Sequence, residues 1–143
     1  MLFKIIVVGK MKDRALEAHV KTYMTRLSPY AKIEIVELRD SNPENEGVKI
    51  LEQLENEKGF VIVLSEEGVE MTSTEFSAKL MGLDRKAVLV IGGPYGLADG
   101  VKKRADLLLA LSRMTFTHEM ARYFLFEQLY RAIMIGKGKN YHN

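Results

Sequence analysis

The segments Phe60–Leu64 (FVIVL) and Ala87–Ile91 (AVLVI) restrict the fold of this chain more than any other feature, because neither contains a polar position. Such unbroken Val, Ile and Leu runs are strands buried on both faces, which requires helices above and below a mostly parallel sheet. Phe3–Val8 (FKIIVV) ends at Gly9, Ile33–Leu38 (IEIVEL) alternates, and Ala105–Leu111 (ADLLLAL) is a weaker fifth candidate. Helical patterns fill the intervals. Arg14–Leu27 follows Asp13, Glu44–Asn56 is announced by Asn42 as cap and Pro43 as first helical position, and at the start of Thr74–Met81 the residues Thr72 and Glu75 stand at capping-box spacing. This alternation predicts an α/β fold with helices on both faces of a mostly parallel sheet. At 143 residues it predicts one domain, 1–143, with Asp40–Asn45 as a connecting loop.

The last helix, from about His118 to Ile135, carries only Glu119, Arg122, Glu127, Gln128 and Arg131 as strongly polar positions after His118, and they lie at scattered angles with no single wet face. It must be covered nearly all round. Either it is a central core helix, or one side meets the sheet and the other a second subunit, with Tyr123, Phe124, Phe126 and Tyr130 as aromatic anchors.

The absence of cysteine removes disulfides, thiolate metal sites and cysteine nucleophiles, and no paired-histidine or carboxylate cluster implies a metal. The N-terminal apolar stretch is too short for a signal-peptide core or a membrane span, so the expected location is the cytoplasm. A net charge of +2 conceals a strong asymmetry: residues 1–32 carry +5, 33–75 carry −9, and 101–143 carry +5. A C-terminal third rich in Arg and Lys suits a phosphate-bearing partner.

Ligands of an open parallel sheet bind beyond the carboxyl ends of its strands, where loops gather and helix N-termini point outward. Three loops qualify: Leu64–Gly68 (LSEEG), Ile91–Leu97 (IGGPYGL) and Leu111–His118 (LSRMTFTH). Glycine in the second allows close approach of backbone to a flat ring or ribose, or simply a tight turn. Beyond the last helix, Lys137 and Lys139 suit phosphate contacts, Tyr141 can stack on a base, and His142 can exchange a proton near neutral pH. A frayed terminus is the competing account of that tail.

The segments GKMK at Gly9–Lys12, RLSPY at Arg26–Tyr30, IGGPYGL at Ile91–Leu97, LSRMTFTHEMAR at Leu111–Arg122, EQLYRA at Glu127–Ala132 and the pair Tyr141-His142 occur in an order that resembles the RlmH family of SPOUT methyltransferases over essentially the whole chain. The resemblance implies an α/β fold with a C-terminal trefoil knot, a homodimer, and S-adenosylmethionine held by the knot. It further implies methylation of N3 of a pseudouridine in large-subunit ribosomal RNA, on the assembled ribosome. Carried over by position, the cofactor residues are Leu64, Gly92, Leu111, Ser112, Arg113, Met114, Thr115 and Phe116. His142, Tyr141 and Arg131 become the catalytic group, and Arg122, Lys137 and Lys139 the RNA contacts. Thr117 stands where some relatives have proline and suits the helix N-cap. A non-catalytic RNA-binding module with the same fold, or a knot enzyme acting on a tRNA ribose, are the alternatives.

Overall fold

In chain order the protein forms β1 (Leu2–Val8), α1 (Arg14–Leu27), β2 (Lys32–Leu38), α2 (Pro43–Leu54), β3 (Phe60–Glu70), α3 (Ser73–Met81), β4 (Ala87–Ile91), α4 (Asp99–Arg104), β5 (Leu107–Ala110) and α5 (His118–Gly136). In this computed structural model, which describes residues 1–141, the strands make one sheet in the order β2-β1-β4-β3-β5, and every neighbouring pair is parallel. The two all-apolar segments lie in the middle, where both faces are covered: every residue of β4 is buried. Alternate side chains of β1 divide between two cores. Phe3, Ile5 and Val7 pack with α1, α3 and α5, whereas Ile6 and Val8 pack with α2 and α4.

The helix starts follow the capping chemistry of the sequence. Asp13 accepts the amides of Ala15 and Leu16, Asn42 that of Asn45, Thr72 that of Glu75 and Thr117 that of Met120. Helix α2 begins at Pro43, the first helical position that the sequence announces, because proline's fixed φ serves that place; the connecting loop therefore ends sooner than Asn45.

The segment Leu64–Gly68 differs from its expected form as a simple loop. Leu64 and Val69 both stand opposite Leu109, so residues 65–68 are extruded from the ladder and the strand then resumes to Glu70. Gly68 makes this possible, since a Cβ there would lie 2.5 Å from the carbonyl of Leu108.

Helix α5 occupies the groove between α1 and α3 and reaches down to β4. Leu125, Phe126, Leu129, Ala132, Ile133 and Met134 enter the core. Phe126, expected as an intersubunit anchor, is therefore a core residue at 0 % exposure. Tyr123, Phe124 and Tyr130 lie half-buried on the outer side and belong to an aromatic row. Phe116 meets Phe124 (5.0 Å between centroids), Phe124 meets Tyr123 (5.7 Å), Tyr123 meets Tyr23 (6.1 Å), Tyr23 meets Tyr130 (5.9 Å), and Tyr130 meets Tyr141 (4.8 Å). His19 stacks on Tyr123 at 5.2 Å. Among the described residues no helix is long and apolar enough to cross a membrane.

Phe126→Ala removes a ring from the centre of the larger core and is expected to cost about 3–5 kcal/mol of folding stability. Urea titration followed by circular dichroism measures it; a loss within about 1 kcal/mol would contradict the placement of α5.

Candidate active site

The sheet order makes a switch point between β1 and β4, since the connection from β1 leads outward to β2 while β4 returns from β3. Above the carboxyl ends of the strands lies a cleft of about 1,090 Å³. Its walls come from Leu64 and the extruded turn of β3 (Ser65, Glu66), the glycine loop Ile91–Leu97, the stretch from Leu111 to Ala121, and Asp13 and Leu16 at the start of α1. The three loops singled out in the sequence thus meet in one place. Leu64, Gly92, Leu111, Ser112, Met114, Thr115 and Phe116 all line the cleft. Arg113 does not: its side chain is 86 % exposed and pairs with Glu70 at 3.4 Å, pointing away from the lining on either side of it. Tyr95 and Met114, each 77 % exposed, and Phe116 leave apolar surface around the site.

The chain leaves β5 at one sheet edge and resumes as α5 beside β1, so residues 111–117 pass the carboxyl ends of β3 and β4. Two contacts fix the arrival. Glu119 Oε1 accepts the amides of Lys12 (2.6 Å) and Asp13 (2.9 Å), groups just before α1 that would otherwise lack partners. Arg122, expected to hold RNA phosphate, is instead 5 % exposed: its Nη2 donates to the Gly9 carbonyl at 2.8 Å and its Nη1 faces Glu37 at 3.4 Å. Burial lowers the pKa of its guanidinium, with Glu37 and Glu119 opposing the shift. An arginine so placed ties β1 and β2 to α5 and offers solvent little to bind. Asp13, Leu16 and Glu119 could not be singled out from sequence, because the Glu119 contact joins residues more than a hundred positions apart.

The glycine loop owes its shape to its own packing. A Cβ on Gly92 would lie 2.7 Å from Leu97 Cδ2, so the glycine leaves room for Leu97 to fold back, rather than directly for a ligand. Gly96, at φ +90°, closes the turn, and Gly96 N donates to the Gly93 carbonyl at 3.2 Å.

The C-terminal segment lies elsewhere. Lys139 N donates to the Met134 carbonyl and Gly138 N to that of Ile135, turning the chain back against α5. Tyr141 Oη is 2.9 Å from Tyr23 Oη and donates to Glu127 Oε1 at 3.3 Å, while the Arg131 guanidinium lies over its ring at 4.9 Å. Burial, the Tyr23 hydrogen bond and the nearby Glu127 charge together raise the Tyr141 pKa well above its ordinary value. Arg131 itself binds Glu127 at 2.6 Å, a hydrogen bond that raises its pKa. Lys137 and Lys139 stand over the Tyr30 ring at 5.5 and 5.2 Å. His142 lies outside the described residues. Because α5 has nineteen residues and spans roughly 28 Å, Tyr141 and the cleft stand at opposite ends of one helix.

The family described as "Predicted SPOUT methyltransferase" matches residues 1–142. The chain belongs to the SPOUT methyltransferases. It is similar to the ribosomal RNA large subunit methyltransferase H of Streptococcus sanguinis, at 38% identity over 159 aligned positions, and to that of Clostridioides difficile, at 39% over 158, each alignment covering 99% of both chains. Among solved structures, a probable methylase family protein from Haemophilus influenzae Rd KW20 shares the fold, with a TM-score of 0.59 at 12% identity, covering 99% of this chain and 70% of that one.

In this SPOUT chain the Arg122 and Glu119 contacts hold one rim of the cleft. Arg122→Met is expected to lower stability by about 2–3 kcal/mol, less than a fully buried pair because Glu37 is partly exposed, and to speed amide exchange from Gly9 to Asp13. Urea titration and hydrogen exchange read the two effects. Unchanged protection of those amides would contradict the pinning.

Proposed function

We propose that this chain is an S-adenosylmethionine-dependent methyltransferase that methylates N3 of a pseudouridine in large-subunit ribosomal RNA on the assembled ribosome, working as a homodimer whose C-terminal part forms a trefoil knot. The observation that carries the reading is the meeting of three separate loops in one cleft at the sheet's switch point, in a chain about 38–39% identical to ribosomal RNA large subunit methyltransferases. The knot reading is supported by the passage of residues 111–117 past β3 and β4, with α5 then seated between α1 and α3.

The cleft suits the methyl donor. Leu64, Ile91, Leu97, Leu111 and Phe116 provide apolar walls for an adenine and a thioether-like chain, and the main chain of the glycine loop and of residues 111–116 provides hydrogen-bonding groups for the polar ends. Bound there, S-adenosylmethionine supplies an electrophilic methyl group, so the protein has only to place the nucleophilic nitrogen in line and remove its proton. His142 is the group proposed to take that proton. Tyr141, with its pKa raised, stays protonated near neutrality and positions the base by stacking and hydrogen bonding. Lys137 and Lys139 hold backbone phosphates.

The length of α5 supports the two-subunit reading. A tail at the far end of a helix of roughly 28 Å cannot close over its own cleft. The half-exposed aromatic row runs from Phe116 beside the cleft to Tyr141 beside the tail, and antiparallel pairing of two such rows buries both and brings each tail to the other subunit's cleft.

Phe124→Asp is expected to yield a folded monomer by sedimentation that no longer methylates ribosomes, because a charge in the covered row would lose its water without gaining a partner. Gly92→Val displaces Leu97 into the cleft and is expected to weaken S-adenosylmethionine at least about tenfold by calorimetry. Removal of residues 141–143 should instead leave that affinity within about threefold and abolish transfer of labelled methyl to ribosomes. Mixing the last two variants should restore roughly a quarter of wild-type transfer, the statistical share of complete sites in exchanged dimers. No restoration in dimers shown to exchange subunits would argue for a site within one chain, and wild-type protein that transfers methyl to no ribosomal RNA would overturn the assignment. Tyr141→Phe should leave the shape of the rate profile between about pH 6 and 9 unchanged, since a group titrating far above that window adds no inflection to it.

A further inference from the structure

Glu46, in the first turn of α2, is 2 % exposed and forms no ion pair among the described residues. Its Oε2 accepts the Ser41 amide at 2.7 Å, while its Oε1 has no hydrogen-bond partner among them. Both oxygens face the glycine loop: a Cβ on Gly93 would lie 3.0 Å from Oε1 and 3.3 Å from Oε2. Gly93 also lines the cleft, so a single residue, without a side chain, separates the carboxylate from it. A buried acceptor left without a partner is costly, and the first-turn position in α2 offsets only part of that cost. Its place behind the cleft wall gives the unbalanced charge something to act on.

We infer that Glu46 is a specificity-determining residue whose charge makes the cleft prefer a cationic ligand over its neutral counterpart, and so S-adenosylmethionine, a sulfonium, over S-adenosylhomocysteine, a thioether. The inference rests on the methyl-donor reading above. The apolar side chains of Leu64, Ile91 and Leu97 lie around the loop and screen the field little, in contrast to water. The other charges of the cleft are placed differently. Asp13 caps α1 by accepting the amides of Ala15 and Leu16, Glu119 is occupied by the amides of Lys12 and Asp13, Lys102 is paired with Glu67 at 3.1 Å, and Glu66 is exposed. Methyl transfer forms the new carbon–nitrogen bond from the nitrogen lone pair, breaks the carbon–sulfur bond with its electrons left on sulfur, and releases the N3 proton to a base. The attraction to Glu46 is therefore lost at the moment of reaction, which favours exchange of product for fresh donor.

Calorimetry on the full chain with each of the two ligands tests this. Glu46→Gln keeps the shape and removes the charge. It is expected to weaken S-adenosylmethionine by about tenfold while changing S-adenosylhomocysteine by less than about threefold. Equal weakening of both, the signature of a merely structural role, overturns the inference and leaves the methyl-donor reading standing, as does an unchanged ratio with no weakening at all. Failure of the wild-type chain to bind either ligand overturns both. If the Gln variant does not fold, Glu46→Asp retains the charge and should keep the wild-type preference between the ligands; a preference lost there overturns the proposal equally.

Discussion

The seat of α5 between α1 and α3 is the constraint on which the rest of the molecule depends. Its inner side completes the larger core with Leu125, Phe126 and Leu129, and its first turn is fastened to the opposite end of the chain by Glu119 and Arg122. One helix thus both closes the core and sets one rim of the cleft. Local opening at the cleft is thereby coupled to α5, since the contacts of the Gly9–Asp13 segment are made with side chains of a helix that cannot move without uncovering core. The outer side of the same helix carries the aromatic row, so folding, the site and the proposed association share a single element.

The cleft is built mainly from backbone and small or apolar side chains, which fits a reaction whose electrophile is brought in by a cofactor. What the protein must supply is placement, and placement here comes from glycines that let neighbouring groups approach. Gly92 admits Leu97, Gly93 admits Glu46, and Gly68 lets the extruded turn of β3 rejoin β5. Each is a packing requirement at short range. Cationic side chains are few inside the cleft, and of those expected to meet RNA, Lys137 and Lys139 lie on the tail end of the molecule, over Tyr30, while Arg122 is buried.

Much of this was legible in the order of residues. Unbroken apolar segments announce central strands, because a parallel strand covered on both faces has no position where a polar side chain could reach water. Caps such as Asp13, Asn42, Thr72 and Thr117 announce helix starts, because their side chains satisfy amides only a few residues away. The resemblance to the RlmH family marked the loops proposed to hold the cofactor, and all the residues carried over for them except Arg113 line one cleft.

Other features depend on which distant segments meet. Arg122 and Glu119 read as surface polar positions on a mostly apolar helix, and only the arrival of that helix beside β1 turns one into a buried tie and the other into a cap for α1. Phe126 and Phe124 are equivalent in composition, yet a separation of two residues places one in the core and leaves the other on the outer row. Glu46 looks like an ordinary first-turn acid until β4 and its glycine loop are laid against it. The sequence by itself determined the strands, the helix starts and the loops where chemistry gathers, since these follow from periodicity and from bonds between near neighbours. Tertiary structure alone decided which charges are buried, what each glycine makes room for and where the tail lies, because burial and long-range contact are properties of the packed chain and have no local signature.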